Sequence, residues 1–217
     1  MRPKLVFEML RAAYGPQHWW PGDSPFEVIV GAVLTQNTAW ANVEKAIANL
    51  KKARLLTPSR MAKAPLAKIR RAIKPSGYYN QKSRRVKAIA SYLAKHYGDD
   101  LTGFLGQPAC ALKHEVESWK GVGPETRDSI LLYAAGKPVF VVDAYTVRAA
   151  NRAGLTKKRA YRDVQEFFES SLPRNARLLN EFHALFVRLG RECCAKKKPR
   201  CGECPLRKPC LRTGLPR

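Results

Sequence analysis

The chain has 217 residues, 45% of them hydrophobic, which suits one large or two small globular domains with a buried core. Its 40 Lys and Arg against 17 Asp and Glu give a formal net charge of +23, and an anionic partner relieves such self-repulsion. Nucleic acid is favoured over an acidic membrane surface because no amphipathic anchor is evident. The start of the sequence lacks the apolar region of a secretory signal, and no segment resembles a membrane span. We therefore expect an intracellular, reducing setting.

Apolar residues recur with helical spacing along the chain, and turns rich in Pro and Gly separate the periodic segments. The periodic segments are 5–10, 28–34, 43–50, 86–93, 130–134, 147–150 and 182–189. A short β-branched run at 139–142 would be a lone strand without a partner, so we interpret it as the lead-in to a helix. The sequence predicts an all-α fold. We expect one helical domain at 26–137 and a second that combines 1–25 with 138–217.

Two aromatic blocks lie near the start of the chain. Residues 18–21 read H-W-W-P, and residues 34–40 read L-T-Q-N-T-A-W. Adjacent tryptophans often serve packing, and they also form flat binding surfaces. The residue types alone leave both interpretations open.

Residues 119–126 read W-K-G-V-G-P-E-T and open a helix. Gly121 and Gly123 permit a sharp turn, and we expect Val122 to anchor that turn in the core. Amides at the start of the next helix, near Thr126, can hold a phosphate. The pattern is typical of a helix–hairpin–helix unit, although a bare G-V-G also fits a plain turn between helices. The segment V-V-D, ending at Asp143, follows soon after.

The C-terminal region carries four cysteines with the spacing C-x6-C-x2-C-x5-C, surrounded by Lys and Arg. Four thiolates at this spacing favour a [4Fe–4S] cluster. A structural zinc site or a pair of disulfides are the alternatives. The predicted ligands are Cys194, Cys201, Cys204 and Cys210. The other two cysteines, Cys110 and Cys193, are predicted to be small buried residues.

The hairpin, the V-D segment and the cysteine tail, in this order, resemble the endonuclease III branch of the helix–hairpin–helix DNA glycosylases over nearly the whole chain. The resemblance implies a six-helix barrel facing a second helical lobe that carries the cluster loop, with damaged double-stranded DNA in the cleft and the target nucleotide extruded from the duplex. It implies a monomeric, cytoplasmic, nucleoid-associated protein. The family's carboxylate beside the glycosidic bond corresponds to Asp143; the alternative is that Asp143 only caps the following helix.

One departure from the family pattern bears on the type of reaction. Bifunctional members carry a lysine two residues past the second hairpin glycine, where this chain has Glu125, which cannot form a Schiff base with the sugar. Lys120 lies on the near side of the hairpin and is expected to meet a phosphate. The resemblance therefore implies base removal by water without strand cleavage.

The W-W-P and L-T-Q-N-T blocks, together with Glu125, are similar to the 3-methyladenine DNA glycosylase III subgroup. In that subgroup a flipped purine lies between aromatic rings at positions matching Trp19 or Trp20 and Trp40. A cationic alkylated adenine suits indole faces, which attract a cation by roughly 0.5–2 kcal/mol. The expected pocket also includes Pro21, Glu125 and Arg191, the last at a position where the subgroup has lysine. The best-known members of the subgroup lack the cysteine cluster.

Further DNA contacts are implied at two loops. Gln36 and Asn37 correspond to side chains that fill the gap left by the flipped base, and Tyr78 would press between bases as a wedge. Tyr78 and Tyr79 could instead be ordinary half-buried tyrosines. Lys82 is expected to contact DNA, whereas His183 fits a packed helix position without a catalytic role.

The expected function is monofunctional excision of alkylated purines, chiefly 3-methyladenine, in base excision repair. One alternative keeps the fold and changes the lesion to thymine or uracil opposite guanine, or to an oxidised base. Another alternative is a non-catalytic binder of damaged DNA. Retention of Asp143 and of the aromatic residues argues against the binder.

Overall fold

A computed structural model describes residues 1–215 of the chain. Helices with turns between them make up these residues, no strand occurs among them, and the all-α prediction is confirmed. The α-helices are α1 (Pro3–Tyr14), α2 (Pro25–Leu34), α3 (Trp40–Lys52), α4 (Pro58–Lys63), α5 (Leu66–Ala72), α6 (Tyr79–His96), α7 (Thr102–Gly106), α8 (Ala109–Glu117), α9 (Pro124–Ser129), α10 (Ala144–Ala153), α11 (Tyr161–Ser171) and α12 (Ala176–Glu192). A π-helical turn, Ile130–Ala134, continues α9, and short 3-10 turns occur at Lys74–Ser76 and Cys201–Glu203. Residues 139–142 form no strand and lead into α10, as predicted.

In the part of the chain that the structure describes, no helix combines the length and apolar character needed to cross a membrane.

The chain divides into two compact units, of which the first comprises Trp20–Ala135. Its centre is α2, whose residues are buried along almost the whole helix. Ser24 caps α2 by accepting a hydrogen bond from the Glu27 amide, and Pro25 occupies the first helical position. The helix α2 packs against α3, α6, α9 and the π-helical turn. This unit therefore carries Trp20 and Pro21 of the first aromatic block, the whole second block and the hairpin on one helical core.

The second unit comprises Met1–Trp19 with Gly136–Arg217. Its core is a group of buried phenylalanines: the rings of Phe182 and Phe186 stack at 4.6 Å, and those of Phe140 and Phe168 stack at 4.4 Å. The helix α12 packs closely on α10, where a Cβ at Gly190 would lie 2.4 Å from the Tyr145 ring. Only glycine permits that approach, which fixes α12 against the helix that begins at residue 144.

Candidate functional site

Three aromatic rings meet in the unit Trp20–Ala135. The rings of Trp20 and Trp40 make an edge contact at 5.0 Å and 90°, and the Tyr133 ring lies 5.3 Å from Trp20. All three side chains are half-buried. Trp20 also lies against α2, where a Cβ at Gly31 would come within 2.9 Å of the indole. The structure thus brings together two of the predicted pocket residues and adds Tyr133. Because Trp20 and Trp40 contact each other, no base fits between these two rings as they stand, and the predicted position of the base between Trp20 and Trp40 is corrected to an open face of this group.

Tyr133 is not among the residues predicted from the sequence. Its segment has ordinary helical spacing, but the chain forms a π-helical turn at Ile130–Ala134, which shifts the side chains relative to an α-helix. Such turns are rare and are frequent at functional sites. Apolar periodicity does not reveal a π-helical turn, so this ring could be found only from the structure.

The other predicted pocket residues lie at separate places in the chain. Pro21 is exposed next to Trp20, and Glu125 is exposed in the first turn of α9. Trp19 is half-buried at the end of the segment Met1–Trp19, and Arg191 is exposed in the last turn of α12. Their participation in base binding stays a prediction.

The hairpin has the predicted turn but a different anchor. Gly121 has φ 83°, a left-handed conformation that favours glycine, and a Cβ there would overlap the Arg85 guanidinium at 2.2 Å. Val122 is only half-buried, so the expectation that it anchors the turn in the core is wrong. Trp119 fills that place instead, because it is 6% exposed and stacks on Phe104 at 5.7 Å.

Around this turn, Lys120, Gly121 and Gly123 are exposed, as a phosphate-binding surface requires. Thr126 is buried, and its hydroxyl accepts a hydrogen bond from Gln36 Nε2 at 2.8 Å. The Thr126 side chain is therefore used inside the protein rather than offered to DNA.

The first loop, residues 35–39, is tied to the hairpin through Gln36. Its amide donates to the Gly121 carbonyl at 3.2 Å and to Thr126 Oγ1, while Arg85 donates to its side-chain oxygen. Asn37, in contrast, is exposed and has φ 51°, a left-handed conformation uncommon for residues other than glycine. In this structure Asn37, rather than Gln36, is the exposed tip of the loop.

The second loop ends at Tyr78, which is 66% exposed and has φ 43°. The half-buried alternative is therefore wrong for Tyr78, although it holds for Tyr79. Lys82, one turn further along α6, is only 2% exposed, and its ammonium donates three hydrogen bonds within the protein. The predicted direct contact between Lys82 and DNA is corrected accordingly.

Asp143 stands at the N-terminus of α10. One carboxylate oxygen accepts a hydrogen bond from the Thr146 amide at 2.7 Å, and the other lies 3.5 Å from His183 Nε2. Burial acts to raise the pKa of Asp143, but His183 and Thr146 stabilise the carboxylate and hold its pKa below the ordinary value. The residue is thus a helix cap and, at the same time, an ionised carboxylate paired with a histidine.

The contact with His183 was missed from the sequence. His183 lies on the buried face of α12 and is 6% exposed, as a packed residue would be. Only the packing of α12 on α10 brings it to Asp143, and helical spacing carries no signal for such a pair.

The four predicted cluster ligands are half-buried in the segment after α12. Arg152 donates to the Ala195 carbonyl at 2.7 Å and lies 3.6 Å from Cys194 Sγ, while the Cys210 thiol donates to the Arg152 carbonyl at 3.3 Å. Burial and then the neighbouring thiols, Cys194 and Cys210 among them, raise the pKa of Cys204 to about 11. Burial therefore disfavours the charged form of the Cys204 thiol, and a metal centre that binds the thiolate would offset this cost.

The donor set fits a thiolate-bound centre in its chemistry. Within residues 1–215, no three side chains of Cys, His, Asp or Glu stand close enough together to hold a metal ion. All six cysteines are free thiols, which does not support the disulfide alternative. Cys193 is buried as predicted, but Cys110 is exposed, so that prediction is wrong.

Comparison with known proteins gives the family. The sequence model of the family described as "HhH-GPD superfamily base excision DNA repair protein" matches residues 30–174, well over half of the chain. The chain belongs to this superfamily. The family predicted from the hairpin, the V-D segment and the cysteine tail is confirmed, and so is the fold.

Relatives of this HhH-GPD protein span nearly its full length. A protein of Methanocaldococcus jannaschii, named as a candidate DNA repair glycosylase, is 40% identical over 208 residues, which cover 95% of this chain and 94% of the relative. Endonuclease III of Thermotoga maritima is 32% identical over 186 residues, covering 86% and 82% of the two chains.

Among solved structures, the 3-methyladenine DNA glycosylase of H. pylori bound to 1,N6-ethenoadenine superimposes with a TM-score of 0.78 at 27% identity. The match covers 88% of this chain and 98% of the H. pylori chain. The HhH-GPD protein is thus similar in sequence to endonuclease III. Its fold matches both this 3-methyladenine DNA glycosylase and endonuclease III, whose trapped complex with DNA superimposes with a TM-score of 0.81 at 22% identity, covering 98% of this chain and 97% of that chain.

Proposed function

We propose that this base excision DNA glycosylase of the endonuclease III family removes alkylated purines, chiefly 3-methyladenine, from double-stranded DNA without cutting the strand. The observation that carries the proposal is the contact of Trp20, Trp40 and Tyr133. Electron-rich rings attract a cationic base by roughly 0.5–2 kcal/mol and gain little from a neutral pyrimidine. The structural similarity to the H. pylori enzyme supports the same class of base.

Recognition of DNA begins with charge. A formal net charge of +23 draws the protein to phosphates, and Lys120 of the hairpin is exposed to meet one. Asn37 and Tyr78 then enter the duplex, where Tyr78 offsets the stacking that is lost when the damaged nucleotide is extruded. Both side chains are exposed and stand at left-handed positions, as projecting loop tips require.

In the chemical step the bond between the sugar and the alkylated base breaks, and its electron pair leaves with the base, which becomes neutral. The ionised carboxylate of Asp143 stabilises the positive charge that develops on the sugar. A water molecule forms the new bond to the anomeric carbon, and its proton passes to Asp143. Little further assistance is needed, because the positive charge of the base already weakens the bond.

The absence of strand cleavage rests on Glu125, which stands where bifunctional relatives place lysine. Lys82 cannot substitute for such a lysine, since its amine is buried and donates to three groups of the protein. Hydrolysis by water is therefore the expected route rather than attack by an amine.

For the cysteine segment we propose a [4Fe–4S] cluster held by the four thiolates of residues 194, 201, 204 and 210. When bound, the cluster supplies a rigid covalent link across the loop rather than a reactive group. Arg152 organises the same loop, and Lys196, Lys197 and Lys198 are exposed on it, where they can meet the DNA backbone. A structural zinc ion is the competing occupant.

The second candidate function is excision of thymine, uracil or an oxidised base. The similarity to the thymine/uracil-DNA glycosylase of Pyrobaculum aerophilum, 28% identical over 193 residues, favours the first two bases. Release assays with duplexes that carry one defined lesion each distinguish the two. Release of 3-methyladenine with little release of thymine or uracil opposite guanine supports the proposal, and the reverse order overturns it.

Borohydride treatment during the reaction tests the absence of the amine route. We expect no covalent adduct with wild-type protein and a trapped adduct with Glu125→Lys, which restores the lysine of bifunctional members. An efficient adduct with wild-type protein would show that another lysine attacks the sugar.

A further inference from the structure

The ammonium group of Lys82 is buried inside the protein. This residue belongs to the second turn of α6 and is 2% exposed. Burial, together with the nearby charge of Arg85, lowers the pKa of Lys82 to about 8. A buried ammonium is unfavourable unless its donors are all satisfied. The partners of Lys82 therefore indicate why the fold keeps it.

Those partners come from both of the loops that carry exposed left-handed tips. The ammonium donates to the Leu34 carbonyl at 2.8 Å, where α2 ends and the first loop begins, and to Thr38 Oγ1 at 2.7 Å within that loop. It also donates to the Ser76 carbonyl at 2.8 Å, two residues before Tyr78. All three hydrogens of the ammonium are used, and they join the two loops.

A second bond crosses between the loops at the same place. The Thr38 hydroxyl donates to the Ser76 carbonyl, so the Lys82 ammonium, the Thr38 hydroxyl and the Ser76 carbonyl form a closed triangle. Asn37 precedes Thr38 in the chain and Tyr78 follows Ser76 by two residues, and both have positive φ. Left-handed backbone is unfavourable for residues other than glycine and persists only where the surroundings hold it. The triangle supplies such a constraint to both tips.

We propose that Lys82 is a positioning residue that fixes the first loop to the second, so that Asn37 and Tyr78 enter the duplex as one rigid unit. The ammonium acts on DNA only through the loops it joins. Loss of the link leaves phosphate binding intact and weakens the extrusion of the damaged nucleotide. The inference rests on the proposed function for the extrusion step, whereas the link between the loops can be tested without DNA.

The first measurement is hydrogen exchange of the free protein. Lys82→Met keeps the length of the side chain and removes its donors. We expect the amides of residues 35–39 and 76–79 to exchange about tenfold faster than in wild type, as loss of a buried hydrogen-bonded link implies. The matched control is Lys87→Met, also on α6, whose ammonium donates to the Ala64 carbonyl away from both loops. Unchanged exchange in the two loops of the Lys82 variant would overturn the proposal.

The second measurement uses duplexes in which 2-aminopurine, a fluorescent base, stands next to an alkylated adenine analogue. The fluorescence of 2-aminopurine rises when the neighbouring analogue is extruded and no longer stacks on it. We expect Lys82→Met to reduce extrusion by about fivefold to tenfold while the Kd for undamaged DNA stays within about twofold. If the variant instead binds undamaged DNA more weakly with a salt dependence lower by about one phosphate contact, Lys82 meets DNA directly and the proposal is wrong.

Thr38 provides a pair of variants that keeps the lysine. Thr38→Val removes the hydroxyl from the triangle, and Thr38→Ser retains it. We expect Val to reduce extrusion and Ser to preserve it, and this pair decides the question if Lys82→Met does not fold. Equal extrusion by the two variants would overturn the link. Failure of wild-type protein to extrude any base would overturn the proposed function. Hydrogen exchange of the free protein would still test whether Lys82 links the two loops.

Discussion

His183 Nε2 lies 3.5 Å from Asp143 Oδ2, and both side chains are largely buried. His183 belongs to α12, and Asp143 is the residue that caps α10. The two side chains meet because α12 packs on α10 at Gly190. Asp143 therefore has one oxygen committed to the Thr146 amide and the other facing a histidine. This arrangement keeps the carboxylate ionised in a place where burial alone would favour its neutral form.

Substitution Asp143→Asn tests the catalytic role without removing the helix cap, since Asn and Asp are about equally good at this position. We expect release of 3-methyladenine to fall by about 10²–10⁴-fold, in line with the loss of an electrostatic and general-base group. The thermal midpoint and the Kd for undamaged DNA should change little. Single-turnover base release at saturating enzyme measures the effect, and unchanged turnover would remove Asp143 from the mechanism.

The pairing with His183 predicts a particular pH dependence. Because the pKa of Asp143 is lowered in the folded protein, its contribution to stability is present above the ordinary value of 3.8 and is lost as the pH falls through the lower folded pKa. Removing the partner with His183→Gln should raise the pKa of Asp143 and move the acid limb of the rate profile to higher pH.

Base release across the acid range, measured with both proteins, checks this shift. His114→Gln serves as the control, since His114 is exposed on α8. A profile of His183→Gln that superimposes on that of wild type would mean that the 3.5 Å contact does not govern the carboxylate.

The aromatic contact predicts that the loss of base release caused by Trp40→Ala is larger for a cationic base than for a neutral one. Loss of the indole should slow release of cationic 3-methyladenine by about 2–30-fold, the equivalent of roughly 0.5–2 kcal/mol of cation–π attraction. Release of neutral 1,N6-ethenoadenine should fall less. Trp40→Phe, which keeps an aromatic face, is the matched variant. Equal losses for the two bases would show that charge does not contribute to recognition.

Much of the fold was accessible from the sequence because its determinants are local. The buried face of α12 follows helical spacing, and the hairpin follows its glycines. Tyr133, His183 and Lys82 were missed or assigned another role. A contact between packed helices and a buried ammonium depend on partners distant in sequence, and apolar spacing does not reveal a π-helical turn. No local pattern of residue types could therefore have revealed these three residues' places.

The cysteine segment leads to a prediction about composition. If the four thiolates hold a [4Fe–4S] cluster, protein purified without oxygen should be brown and contain about four iron atoms per chain. Cys204→Ser should lose iron and lower the thermal midpoint, because it removes one of the four proposed ligands and metal binding contributes to the stability of the folded segment. Cys110→Ser should retain both properties, since Cys110 is exposed on α8, outside this segment. Colourless protein with stoichiometric zinc would show that the segment is a zinc site instead. A lower thermal midpoint of Cys204→Ser would then be due to the loss of zinc.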